Sequence, residues 1–97
     1  MHIISKSAIS EFIKKHADSE ESLIKWYVTF KSSNFHHFHQ IHQSFSNVDF
    51  LGNDLYVFHL KDNTLTLIAR IFFGTQIIQI KFIGTHHQFE KTDLSKL

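Results

Sequence analysis

The chain has no cysteine and no proline, and only three glycines among its 97 residues. Without cysteine there is no disulfide framework, and a thiolate zinc site is excluded. Without proline the usual punctuation of linkers is missing. No low-complexity segment and no internal repeat is visible, so residues 1–97 are expected to form a single domain. No apolar run approaches the ~18 residues that a membrane span needs. Met1 to Lys6 lacks the long apolar core of a signal peptide, so a cytoplasmic, membrane-free protein is expected. An excess of charge of one sign is missing too. The formal charge is +1, with nine histidines counted as neutral. A nonspecific nucleic-acid binder usually carries a clear basic excess. Histidine titrates near neutrality, so mild acid makes this chain distinctly basic.

What is present is periodicity. His2 to Ser5 reads as a first strand. Ile9, Phe12, Ile13 and His16 then fall on one helical face, with Ser5 or Ser7 as a cap. Asp18 with Glu21 resembles a capping box for a second helix, where Leu23, Trp26, Tyr27 and Phe30 repeat the spacing. Phe38, Ile41, His42 and Phe45 suggest a short third helix. Residues 47–53 read as an irregular entry into the sheet, with Gly52-Asn53 at a turn or bulge.

From Asp54 onward the pattern is strand. Asp62-Asn63 and Gly74-Thr75 suit two-residue hairpin turns. The first turn pairs Leu60 with Leu65, His59 with Thr66 and Leu55 with Arg70. The second pairs Phe72 with Ile77, Arg70 with Gln79, Ile68 with Lys81 and Leu67 with Phe82. Strand side chains alternate faces. One face therefore collects Tyr56, Phe58, Leu60, Leu65, Leu67, Ala69, Ile71, Ile78, Ile80 and Phe82, and is expected under the helices. The other collects Leu55, Val57, His59, Thr66, Ile68, Arg70, Phe72, Ile77, Gln79, Lys81 and Ile83. A polar ligand is expected there, and its apolar members predict a patch that a partner covers.

Several short motifs run in order along the chain. They are Ile3-Ile4-Ser5-Lys6, Trp26-Tyr27, Asp49-Phe50-Leu51-Gly52-Asn53, Val57-Phe58, Asn63 and Gly84-Thr85-His86. Together they resemble the HigB-type toxins of the RelE/ParE superfamily, across essentially the whole chain. The resemblance implies an α+β fold of order β-α-α-β-β-β, with a mainly antiparallel sheet and a two-helix hairpin on one face. It implies a type II toxin that cleaves messenger RNA on the ribosome by 2′-hydroxyl attack on phosphate, with no metal or other cofactor. It also implies a HigA-like helix-turn-helix antitoxin as partner; self-association is the alternative cover for the surplus aromatic surface.

The resemblance and the polar residues of the second sheet face together select site residues. His86 is expected to transfer a proton, Lys81 and Arg70 to stabilise phosphate charge, and Glu90 to orient His86 or take a proton itself. Arg70, Lys81, His59 and Gln79 are the expected RNA-binding set. The chain departs from the family pattern at four of these places. Thr66 stands for an arginine expected on the phosphate, Phe89 for a tyrosine, Glu90 for an aspartate and His59 for an asparagine. Arg70 lies two pleats from Thr66, roughly 13 Å along the strand. An alternative therefore stays open: a catalytically impaired module that pairs with an antitoxin or occupies the ribosome. His36, His37, His39 and His42 invite a metal reading. Zinc needs further ligands with oriented partners, so these read as a solvated, titratable surface and no metal is expected.

Overall fold

The computed structural model describes residues 1–97. A short strand β1 (His2–Ile4) leads into α1 (Ser7–Lys15), a single 3-10 turn (Ala17–Ser19) and α2 (Glu20–Lys31). After α3 (Phe38–Ser44), four strands follow: β2 (Val48–Gly52), β3 (Leu55–Leu60), β4 (Leu65–Phe72) and β5 (Ile77–Thr85). The chain closes with α4 (His86–Glu90) and a 3-10 turn at Leu94–Lys96. The five strands form one sheet in the order β1-β5-β4-β3-β2. Only β1 and β5 run parallel, as the helical crossover between β1 and the hairpins requires.

The class is α+β as expected, but the segment expected to be irregular is a strand. β2 pairs antiparallel with β3, and Leu51 is the extra residue between the pairs Phe50–Tyr56 and Gly52–Leu55. The turn that joins them holds Gly52, Asn53 and Asp54 at φ of +88°, +51° and +63°. Asn and Asp tolerate this region better than other side chains, which lets the hairpin close without more glycine. The first helix caps also differ from expectation. Neither Ser5 nor Ser7 caps α1, and Asp18 lies in the 3-10 turn rather than at the start of α2. There Lys61 Nζ lies 2.5 Å from Asp18 Oδ2 and ties the β3–β4 turn to the helices. That ammonium holds the Asp18 carboxyl below the usual carboxylate range.

The first sheet face and both helix stripes make the main core. Ile9, Leu23, Trp26 and Phe30 are buried against Tyr56, Phe58, Leu65, Leu67, Ala69, Ile71, Ile78 and Ile80, with Phe12, Ile13 and Tyr27 at its margin. Aromatic rings dominate its centre. Phe30 stacks on Phe45 at 5.5 Å, and Phe58 stands edge-on to Trp26, Phe30 and Phe45. Such pairs add about 0.5–1.5 kcal/mol each beyond the area they bury.

The β3–β4 register is as expected from Leu55–Arg70 to Leu60–Leu65. The β4–β5 register holds from Phe72–Ile77 to Ala69–Ile80 and then slips. Ile68 pairs with Phe82 rather than Lys81, and Leu67 with Ile83 rather than Phe82. Lys81 is the extra residue of a β-bulge. One inserted residue reverses the faces of all that follow. Phe82 consequently packs on the second face, and Ile83 on the main core.

The second face is closed by the chain itself. Leu55, Val57 and Ile68 are buried beneath Phe82, Phe89, Leu94 and Leu97. Ile68, expected at an exposed patch, is wholly buried because α4 and the last turn fold back over it. The large apolar side chains left exposed are Ile4, Ile24, Val28, Phe50, Leu51 and Phe72. No helix is long and apolar enough to cross a membrane.

Candidate active site

The site begins where β5 turns into α4. An added Cβ on Gly84 would stand 2.6 Å from the Phe82 ring and 2.8 Å from Gln88 Oε1. Glycine at this position leaves the Phe82 ring and the Gln88 side chain undisturbed, where a larger residue would make one of them shift. Thr85 then caps α4: its Oγ1 accepts from the Gln88 N–H at 3.1 Å, and the Gln88 side chain accepts from the Thr85 N–H at 2.9 Å. This reciprocal cap sets the start of a helix too short to be stable alone. The His86 N–H also donates to the Thr64 carbonyl at 3.1 Å, pinning α4 to the β3–β4 hairpin.

His86 is thereby placed half-exposed on the first turn of α4. Its Nε2 lies 2.8 Å from Glu90 Oε1, one helical turn on. The two side chains thus form an i, i+4 pair on the open side of the corner. Phe89 turns the other way, onto the sheet. Its ring lies 6.2 Å from the His86 ring and 5.8 Å, edge-on, from the His59 ring.

His59 stands on the second face, opposite Thr66 across the ladder, and Thr66 in turn faces Gly84. His59 Nε2 lies 3.3 Å from Asp49 Oδ2 on β2. The imidazole is largely shielded at 15% side-chain exposure, whereas Asp49 is open at 64%. Thr66 is wholly buried, and its hydroxyl has no hydrogen-bond partner. The corner therefore gathers two histidines, each with a carboxylate, around one phenylalanine.

The remaining expected residues lie elsewhere. Arg70 is at the far end of the same face, where one Nη donates to the Leu97 main-chain carbonyl at 3.2 Å and the buried Nε has no partner. Gln79 is its neighbour across the ladder. Lys81, displaced by the bulge, lines a cleft against α1 with Glu11 and Lys15. No hydrogen bond or ion pair joins any of the three to His86. No group of three histidine or acidic side chains converges as metal ligands would, at residues 36–42 or elsewhere. None of the surface clefts is lined by His86 or Glu90. The His86 side of the corner is open surface, while His59 borders a cleft with Lys25, Asn47 and Lys61.

Asp49 is the site residue that sequence reasoning passed over. Its signal lay in β2: once residues 48–52 are a strand hairpinned to β3, alternation puts Asp49 on the face of Val57 and His59.

Residues 19–92 match the family model of HigB_toxin, described as the RelE-like toxic component of a toxin–antitoxin system. The chain belongs to the HigB toxin family. The match runs from the end of the first 3-10 turn past α4, and so holds Asp49, His59, Thr66, Arg70, Gln79, Lys81, His86, Phe89 and Glu90. A curated relative, the mRNA interferase HigB of Escherichia coli O6:H1 (strain CFT073), is 30% identical over 93 residues, covering 94% of this chain and 90% of that protein. Membership in the HigB family implies an antitoxin partner for this chain.

Proposed function

We propose that this HigB-family chain is an mRNA interferase, a cytoplasmic toxin that cleaves messenger RNA on the ribosome and is neutralised by a HigA-like helix-turn-helix antitoxin. The observation that carries the reading is the His86–Glu90 pair, 2.8 Å apart on an open corner beside a second histidine. The relative named an mRNA interferase aligns over nearly the whole chain and supports it. In the reaction the ribose 2′-oxygen attacks the adjacent phosphorus and the 5′-oxygen leaves. His86 moves a proton, and Glu90 orients its ring. Arg70, Lys81, His59 and Gln79 contact the RNA, Arg70 once its bond to Leu97 is released. Such a reaction needs charge stabilisation and proton transfer, which side chains supply. No cofactor is invoked.

The test is to produce the chain alone in cells and map mRNA 5′ ends, with His86→Ala as control. The control should lose cleavage by on the order of 10²–10⁴-fold, and the product of an adjacent antitoxin gene should restore growth. A second reading, an impaired module that binds an antitoxin or the ribosome, is favoured by two observations. Phe89 has no hydroxyl to offer, and the guanidinium of Arg70 is already engaged. Growth arrest that His86→Ala leaves unchanged, with no new 5′ ends, selects that second reading.

A further inference from the structure

The corner holds a second histidine–carboxylate pair, set on two strands rather than on α4. His59 is reached from β3, not α4, and its ring is shielded by its neighbours. Asp49 fixes the ring from β2 at 3.3 Å through Nε2, which leaves Nδ1 as the free nitrogen. Beside it lies the Thr66 hydroxyl, fully buried and without a partner, on the strand that His59 faces. Phe89 is edge-on to His59 and also faces His86. The two imidazoles are therefore no further apart than those two ring separations laid end to end. A cross-strand ion pair of purely structural use would need no aromatic wall shared with a second histidine.

We propose that His59 is the second proton-transfer group of the cleavage site, working with His86 across the Phe89 ring, and that Asp49 is its positioning residue. The inference rests on the mRNA interferase reading. The chemistry closes without a co-reactant. The O2′–P bond forms as the P–O5′ bond breaks. One neutral imidazole takes the 2′-hydroxyl proton, while the other, as imidazolium, delivers a proton to O5′. The products are a 2′,3′-cyclic phosphate and a 5′-hydroxyl. A pair that must be one neutral and one protonated gives a rate with an acid and an alkaline limb. The charged groups around His59 are Asp49 on β2, Lys61 and Asp62 in the β3–β4 turn, Lys25 on α2 across the cleft that His59 borders, and His86 and Glu90 beyond Phe89.

The experiment is single-turnover cleavage by the purified full chain against pH, on an RNA of mapped cleavage site, free and on programmed ribosomes. Variants are His59→Asn, His59→Ala, Asp49→Asn and His86→Ala, each checked for folding by thermal unfolding. His59→Asn should lose on the order of 10²–10⁴-fold in rate and one limb of the profile. Added imidazole should restore part of the rate to His59→Ala, which no structural role predicts. Asp49 is exposed and its replacement leaves the core intact, so Asp49→Asn should fold and cleave more slowly. If His86→Ala is inactive while His59→Asn and Asp49→Asn keep the wild-type rate and profile, His59 is not in the reaction and the inference is overturned, with the interferase reading intact. If the wild type cleaves neither RNA, the interferase reading itself fails; if His86→Ala cleaves as fast as the wild type, the His86–His59 pair is overturned.

Discussion

Replacing Thr66 with valine should stabilise the protein. Thr66 is fully buried on β4, and its hydroxyl finds no partner. Valine keeps the β-branched shape and the strand preference, so backbone and packing volume are little changed. What changes is the stranded hydroxyl. Leaving such a group buried costs about 1–3 kcal/mol, and an apolar isostere removes that cost. Part of it is offset by relaxation, so a gain of about 1 kcal/mol is expected. For a domain near this size that corresponds to a rise of about 4–8 °C in Tm. Urea and thermal unfolding measure it, and an unchanged denaturant slope would place the effect in the folded state. A Thr66→Val protein less stable than wild type by 1 kcal/mol or more would refute the reasoning, since the hydroxyl must then be satisfied in the folded protein, for instance by ordered water.

Gly84→Ala should destabilise by about 1–3 kcal/mol, the usual range for overpacking, because the new methyl meets both the Phe82 ring and the Gln88 oxygen of the α4 cap. Hydrogen exchange at Gln88 should rise with it; unaltered stability and exchange would show that the approach is slack. Removing residues 93–97 takes Leu94 and Leu97 off the second face and frees the Arg70 guanidinium. RNA affinity should then fall more steeply with salt, by about 0.7 in the log–log slope for one added phosphate contact on a single strand, and an unchanged slope rejects Arg70 as a phosphate ligand. Burial, with Asp54 nearby, raises the Tyr56 phenol above its ordinary value. The folded state therefore favours the neutral phenol. Its contribution is complete below about pH 10 and is lost as pH climbs through the raised value. The stability difference between wild type and Tyr56→Phe should be flat below pH 10 and shrink above it; a difference already changing near neutrality contradicts the assignment.

The main core was legible in the sequence because two periods agreed. Helix stripes through Ile9 and Phe12, and through Leu23, Trp26 and Phe30, met a strand face through Phe58, Leu67, Ile71 and Ile78. Turn chemistry added the register, since Asp62-Asn63 takes positive φ as required. What stayed hidden depended on events that leave no periodic trace. A bulge at Lys81 has no composition of its own in an apolar strand, yet it turned Phe82 to the second face and moved Lys81 toward α1. β2 is an edge strand with only one neighbour, so its alternation is short and mostly exposed. The fold-back of Leu94 and Leu97 is a long-range contact between short segments, which spacing cannot announce.

These same events set the candidate site. Had β5 run without its bulge, Gly84 would have faced the main core and Phe82 would have stayed beneath the helices. The capped turn at Thr85 would then have launched α4 from the opposite face, away from His59. With the bulge, Gly84 lies beside Thr66 on the second face, Phe89 descends onto that face, and His86 remains outside with Glu90. One inserted residue thus brings together two histidines that alternation from the turns alone had placed without a common neighbour. It also explains why Arg70, fixed by the unbulged half of the ladder, lies at the other end of the face, under the last residues of the chain.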